Sequence, residues 1–175
     1  MPSEPIDPQQ TALVAIDLQI RTVGLQTAPR TGADVVRQTM RLTDAFRHKD
    51  GHVVIVQAWR PGEDQQPAGS ELVSEMLPRP GDLLITKHTW GAFHETGLHA
   101  ELRKRGVTTL VLTGIATNFG VESTARAAAE LGYRLVLVED AMAGLDADAH
   151  TFAITTIFPH LGTVCSTDEL LAALG

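Results

Sequence analysis

Apolar residues along this chain fall into short runs separated by amphipathic or polar stretches. Ala12-Leu13-Val14-Ala15-Ile16 is continuously apolar and stops at Asp17. His52–Ala58, Leu83–Thr86, Val107–Leu112, Arg134–Val138 and Gly162–Cys165 repeat the pattern. Such runs are what strands buried on both faces of a sheet require. Between them, Val36, Met40 and Leu42 mark one face of a helix over Gly32–Lys49. Gly97–Arg105 reads as a helix ended by Gly106, and an alanine-rich helix starts at about Phe119 and is ended by Gly132. Asp146 is placed to cap a helix running to about Phe158, and Ser166-Thr167-Asp168-Glu169 is a capping box opening the last one. Glu71–Leu77 reads as a short helix broken at Pro78–Gly81; Trp59–Ser70 and Lys87–Phe93 read as loops. Six strands, most of them alternating with helices, predict an α/β domain with a parallel sheet between helical layers. The expectation is one domain over residues 1–175, with residues 1–10 a loosely ordered arm containing Pro2, Pro5 and Pro8.

The chain is organised around Thr109–Ala129. Leu110-Val111-Leu112 is a buried-strand run, Gly114 breaks it, and a small polar turn leads into the alanine-rich helix, with Thr117 and Asn118 as candidate N-caps. In an open parallel sheet, turns at the carboxyl ends of strands are where ligands bind. Free N–H groups at a helix start favour an anion or a developing oxyanion. Strand, turn and helix alone are equally compatible with a tight connection that does nothing else.

The wording of the turn goes further. Gly114-Ile115-Ala116-Thr117-Asn118, followed by Val121-Glu122-Ser123-Thr124-Ala125-Arg126, resembles the core motif of the isochorismatase-like cysteine hydrolases. That superfamily includes nicotinamidases, N-carbamoyl amidohydrolases and isochorismatases. Most members carry a nucleophilic cysteine just before the valine; here the residue is Gly120. Isochorismatases proper also carry glycine there. The resemblance implies a three-layer fold with strand order 3-2-1-4-5-6, a non-proline cis peptide at Ile115–Ala116, and backbone N–H groups near Ala116 and Gly120 facing an oxyanion. It also implies that Asp17 and Lys87 match the family's catalytic aspartate and lysine, the lysine being followed here by Gly91-Ala92-Phe93. In that strand order Lys87 ends a strand two removed from Asp17, so it must lean roughly 10 Å across the sheet edge.

Each of these residues also has a plainer reading. Asp17 could hold a loop through backbone N–H groups, although a carboxylate ending a buried strand is costly unless paired. A lone lysine after a strand is commonly solvated. Beside Asp17 an ammonium favours the ionised carboxylate and burial opposes it. With Gly120 in place of a nucleophile, a protonated Asp17 can serve as general acid, as vinyl-ether hydrolysis requires. Trp59, Trp90, Phe93 and Asn118 are candidate substrate contacts. The aromatic three could equally cover the core or a subunit contact. Arg60 either pairs with a substrate carboxylate or is a surface charge. It also stands where isochorismatases proper have glutamine, which argues against isochorismate itself. Arg126 and Asp140 are a possible bracing ion pair. Cys165, the only cysteine, reads as an inert buried thiol.

Bulk properties narrow the classes. The 175 residues carry a net charge of −7, against a nucleic-acid surface. No apolar run approaches the roughly 20 residues of a membrane span, and the N-terminus lacks the pattern of a signal peptide; the expectation is a cytoplasmic protein. Nicotinamidases have an Asp-x-His-His cluster after the second strand, whereas Gln57-Ala58-Trp59-Arg60-Pro61 has no histidine. His88, His94 and His99 lack the spacing of a zinc motif, so neither metal nor cofactor is expected. The partners expected are a small-molecule substrate and, by resemblance, further copies in a dimer or tetramer. Two functions stand: a hydrolase without a covalent intermediate, and a non-catalytic small-molecule binder or assembly protein that retains the fold. A nucleotide-binding or phospho-receiver domain is disfavoured, because no Gly-x-Gly-x-x-Gly follows the first strand and Asp17 has no acidic neighbour.

Overall fold

The computed structural model describes residues 5–175. Its six strands are β1 (Thr11–Ile16), β2 (His52–Ala58), β3 (Leu83–Lys87), β4 (Thr109–Ile115), β5 (Arg134–Ala143) and β6 (Thr163–Cys165). They form one parallel sheet in the order β3-β2-β1-β4-β5-β6. The helices are α1 (Ile20–Val23), α2 (Gly32–His48), α3 (Leu98–Lys104), α4 (Glu122–Glu130), α5 (Ala147–Phe152) and α6 (Thr167–Leu174).

Alternation along each strand splits the core between the two faces. Leu13, Ala15, Val53, Ile55 and Val111 face Val35, Leu42 and Phe46 of α2 and Leu170 of α6. Val14, Ile16, Val54, Val56, Leu110 and Leu112 face Leu98 and Leu102 of α3 and Ala125 and Ala128 of α4. A helix therefore need bury only one stripe, and a central strand must be apolar on both sides. Capping boxes start α2 at Thr31 and α6 at Ser166, and Asp146 caps α5 through Ala149 N.

Several details differ from the sequence-based expectations. Strand β5 continues through Glu139 and Asp140, because a register shift in β4 lets Met142 and Ala143 pair with Gly114 and Ile115. The expected helix at Glu71–Leu77 shrinks to a 3-10 turn over Ser74–Met76. Neither Thr117 nor Asn118 caps the helix after β4; a π-helical turn over Thr117–Val121 precedes α4. The Thr117 hydroxyl is instead hydrogen-bonded to His150 Nδ1 at 2.7 Å. In the expected loose arm, Ile6 is buried and its N–H donates to Ala173 O at 3.2 Å, while residues 1–4 lie outside the described residues. Further along the arm Pro8–Gln10 forms a 3-10 turn, Gln10 O accepts from Thr108 N at 2.9 Å and Gln9 Nε2 donates to Asp50 O at 3.2 Å, so the described part of the arm is tied down at several points.

One glycine is indispensable to the site's frame. Gly114 has φ 126°, and a Cβ there would lie 2.1 Å from Ile16 O and 2.8 Å from Ile16 N. Its register partner is Ile16, the residue before Asp17. Gly114→Ala should therefore cost about 2–5 kcal/mol of stability through backbone strain and overpacking, read as a fall in the denaturant midpoint with an unchanged slope. A midpoint within error of the wild type would show that β1 and β4 can separate at little cost.

Candidate active site

Asp17 leaves β1 with φ 55°, a left-handed conformation that aspartate tolerates better than most residues. Its N–H donates to Val56 O at 2.9 Å, so the turn begins while the chain is still tied to β2. Lys87 ends β3 with its side chain 1% exposed, and its ammonium reaches Asp17 Oδ2 at 2.7 Å. The same ammonium donates to Trp90 O. The other carboxylate oxygen, Oδ1, is buried and has no hydrogen-bond partner among the described residues.

Burial drives the Asp17 carboxyl up to about 6, against the pull of Lys87, whose charge and hydrogen bond both lower it. Because the folded value lies above the ordinary 3.8, folding disfavours the ionised form. Wild-type stability relative to Asp17→Asn is therefore greatest below pH 3.8 and falls as pH rises through about 6. Paired urea titrations between pH 4 and 7 check this; a difference that does not change with pH would contradict it.

Gly120 completes the cluster. A Cβ at this position would lie 3.1 Å from Asp17 Oδ2, 3.1 Å from Lys87 Nζ and 3.3 Å from Trp90 O. The β1 end, the β3 end and the turn after β4 thus meet at one point. The Ile115–Ala116 peptide is cis. Ala116 O accepts from Phe119 N at 3.1 Å and Val121 N at 3.3 Å, which closes the turn that carries Gly120.

A cavity of about 230 Å³ lies over Asp17, and its walls include Trp59, Arg60, His88 and Trp90. Trp90 is 65% exposed and packs edge-on against Phe119 with ring centroids 5.0 Å apart. Phe93 does not join them. It stacks on Tyr133 at 5.9 Å and packs against the core face covered by α3 and α4. Asn118 is not a wall of this cavity either; its Oδ1 is buried without a hydrogen-bond partner among the described residues. The Arg126–Asp140 pair does not form. Arg126 bonds Glu122 one turn back at 2.9 Å, while Asp140 accepts from Thr167 N at 2.7 Å and Thr167 Oγ1 at 2.8 Å. His94 is exposed near Glu95, and Cys165 is buried, its thiol pushed up to about 12 chiefly by burial. Among the described residues no group of three His, Cys, Asp or Glu side chains is placed to hold a metal ion. Among the described residues no helix is long and apolar enough to cross a membrane.

The structure adds residues the sequence reading passed over. Gln19 is buried at 3% exposure; its amide accepts from Ala58 N at 2.9 Å and donates to Ala58 O at 3.1 Å and to Ser70 O. It works like an added length of backbone, tying the end of β2 to the end of the long loop. Its position two residues beyond Asp17 was the available signal. Arg21 and Gln66 also border the cavity. His150, bonded to Thr117, is driven down to about 4 by burial first and by Arg30 second, so its ring is neutral near pH 7.

With this geometry in place, similarity to known proteins becomes informative. The isochorismatase domain family matches residues 11–169, nearly the whole chain. The chain belongs to the isochorismatase family. It is 39% identical over 183 residues to the isochorismatase family protein YwoC of Bacillus subtilis (strain 168), covering 95% of each chain. An isochorismatase family protein from Burkholderia thailandensis has the same fold, with TM-score 0.89 and 43% identity over 98% of this chain and 99% of that one. N-carbamoylsarcosine amidase from Thermoplasma acidophilum superposes with TM-score 0.78 at 28% identity, covering 91% of this chain and 98% of that one. The strand order is the one this isochorismatase-like α/β fold implies.

Proposed function

We propose that this isochorismatase-family protein hydrolyses a small molecule by acid–base chemistry at Asp17, with no covalent intermediate on the protein. The observation that carries the reading is the state of Asp17: a buried carboxyl bordering the cavity, raised to about 6, with one oxygen that has no hydrogen-bond partner among the described residues. A raised carboxyl is what a general acid working near neutral pH needs. Gly120 has no side chain to attack with, and Cys165 is a buried thiol on the sixth strand.

In the proposed cycle Asp17 gives its proton to the substrate, to the carbon of a vinyl ether or to the leaving nitrogen of an amide or ureido group. The carboxylate that remains sits 2.7 Å from the Lys87 ammonium, which stabilises the charge as it develops. Water adds to the electron-poor carbon and returns its proton to Asp17, so one water is consumed and the enzyme is restored. Similarity to an N-carbamoylsarcosine amidase supports including carbon–nitrogen bonds among the substrates.

The test is turnover of a panel of small amides, ureido compounds and vinyl ethers before and after treatment with iodoacetamide. Activity on a member of the panel is expected to survive the treatment. Activity that iodoacetamide abolishes, and that a folded Cys165→Ser variant also lacks, would place a thiol in the mechanism and contradict the proposal.

A further inference from the structure

The mechanism leaves two guanidinium groups unused. Arg21 and Arg60 both border the cavity over Asp17. We infer that the substrate of this site is a small organic carboxylate, whose anionic end is held by Arg21 and Arg60 while its reacting bond lies at Asp17. This rests on the hydrolase reading above and narrows it to one substrate class.

Charge is the first argument. The chain as a whole carries −7, yet among the described residues Asp17 is the only acidic one in the cavity wall, and it already faces Lys87. The Arg21 side chain has no ion-pair or hydrogen-bond partner among the described residues. Arg60 meets Glu63 at 3.5 Å with both side chains exposed, at 59% and 42%. Exposed pairs of this kind hold weakly and exchange readily for a better acceptor.

Backbone placement is the second. Arg21 N donates to Gly69 O at 2.8 Å, and Ile20 N donates to Glu71 O at 2.9 Å. Gln19 ties Ser70 to Ala58, as described above. Gln66 grips Arg60 from both sides: its Oε1 accepts from Arg60 N at 2.7 Å and its Nε2 donates to Arg60 O at 3.0 Å. The Gln66 side chain therefore pins the backbone of Arg60, and the Arg21 backbone is held by Gly69 beside the Gln19 tie, so part of the ordering cost of anion binding is met before the ligand arrives. A guanidinium fork matches a planar carboxylate with two parallel hydrogen bonds. The rings of Trp59 and Trp90 in the same wall give an organic body something flat to lie against, which inorganic phosphate would not use.

The chain's two tryptophans, Trp59 and Trp90, are both in this wall, so intrinsic fluorescence reports occupancy without any turnover. The probes are benzoate, benzamide and inorganic phosphate. Benzoate should bind about tenfold or more tighter than either of the others, the range expected for a charge-assisted pair. Added sodium chloride should weaken benzoate and leave benzamide unchanged. Arg21→Met with Arg60→Met should erase the preference, whereas Asp17→Asn should keep or strengthen it. Benzamide binding as tightly as benzoate, no response to benzoate at millimolar concentration, or a preference that survives the double variant would each overturn the inference. Phosphate matching benzoate would overturn the carboxylate assignment. A benzoate preference in a protein that hydrolyses nothing would remove the hydrolase reading and leave this one standing; hydrolysis of neutral substrates with no benzoate preference would do the reverse.

Discussion

Asp17→Asn should lower hydrolysis by about a hundred- to ten-thousand-fold while the protein stays folded, the usual range for losing a general acid. Asparagine keeps the shape and, like aspartate, accepts the left-handed φ of 55° at this position. It cannot give up a proton at neutral pH. Its amide would still face Lys87, and the ammonium retains its bond to Trp90 O, so Lys87 is not left without an acceptor. Circular dichroism and a urea midpoint separate lost chemistry from lost structure. Activity within a few-fold of wild type would remove Asp17 from the reaction.

Gly120→Cys should create the most reactive thiol in the chain. Its Cβ would arrive 3.1 Å from both Asp17 Oδ2 and Lys87 Nζ, and the lysine end is flexible enough to yield a few tenths of an ångström. The thiol would then sit beside an ammonium and at the start of the helical segment leading into α4, and both features favour a thiolate. Its pKa should fall below the free value of about 8.5. Asp17 opposes this when ionised, yet can also accept the thiol proton. Cys165, raised to about 12 by burial, presents almost no thiolate at neutral pH. The difference in ionised fraction alone predicts alkylation about a thousandfold faster at the new thiol. Lys87→Met in the same background should slow it. The measurement is the pH–rate profile with iodoacetamide in Gly120→Cys carrying Cys165→Ser. A folded variant with an unreactive, unshifted thiol would show that Gly120 does not occupy the family's nucleophile position.

How much of this was legible beforehand depended on the kind of signal. Buried strands of a parallel sheet must be apolar on both faces, so Ala12–Ile16 and His52–Ala58 declared themselves by composition alone. The far end of β5 did not, because Glu139 and Asp140 look like a strand stop and the pairing past them depends on a register shift in β4. Strand order came from the resemblance carried by the Gly114–Arg126 wording, and with it the meeting of Asp17, Lys87 and Gly120, three positions spread over a hundred residues. Side-chain direction was the weakest point. Phe93 and Trp90 sit three residues apart in one loop, yet one stacks on Tyr133 and the other borders the cavity. The sequence also admits an Arg126–Asp140 pair, but the nearer Glu122, one turn back on the same helix, takes Arg126. Gln19 has only its place two residues beyond Asp17 as a signal, and Gln66 has none, because a glutamine that imitates backbone leaves little mark in a sequence pattern.

The role of Asp17 as a proton donor is tested most directly by the pH dependence of kcat/KM on the best substrate of the panel. A raised carboxyl is protonated below its pKa, so an acid donor works at low pH and fails as pH rises. Activity should therefore fall as pH rises through about 6. In Lys87→Met that limb should move to higher pH, because the charge that pulls the carboxyl down is gone. A profile that instead rises through about 6, with the limb moving with Lys87, would make Asp17 a base and contradict the account.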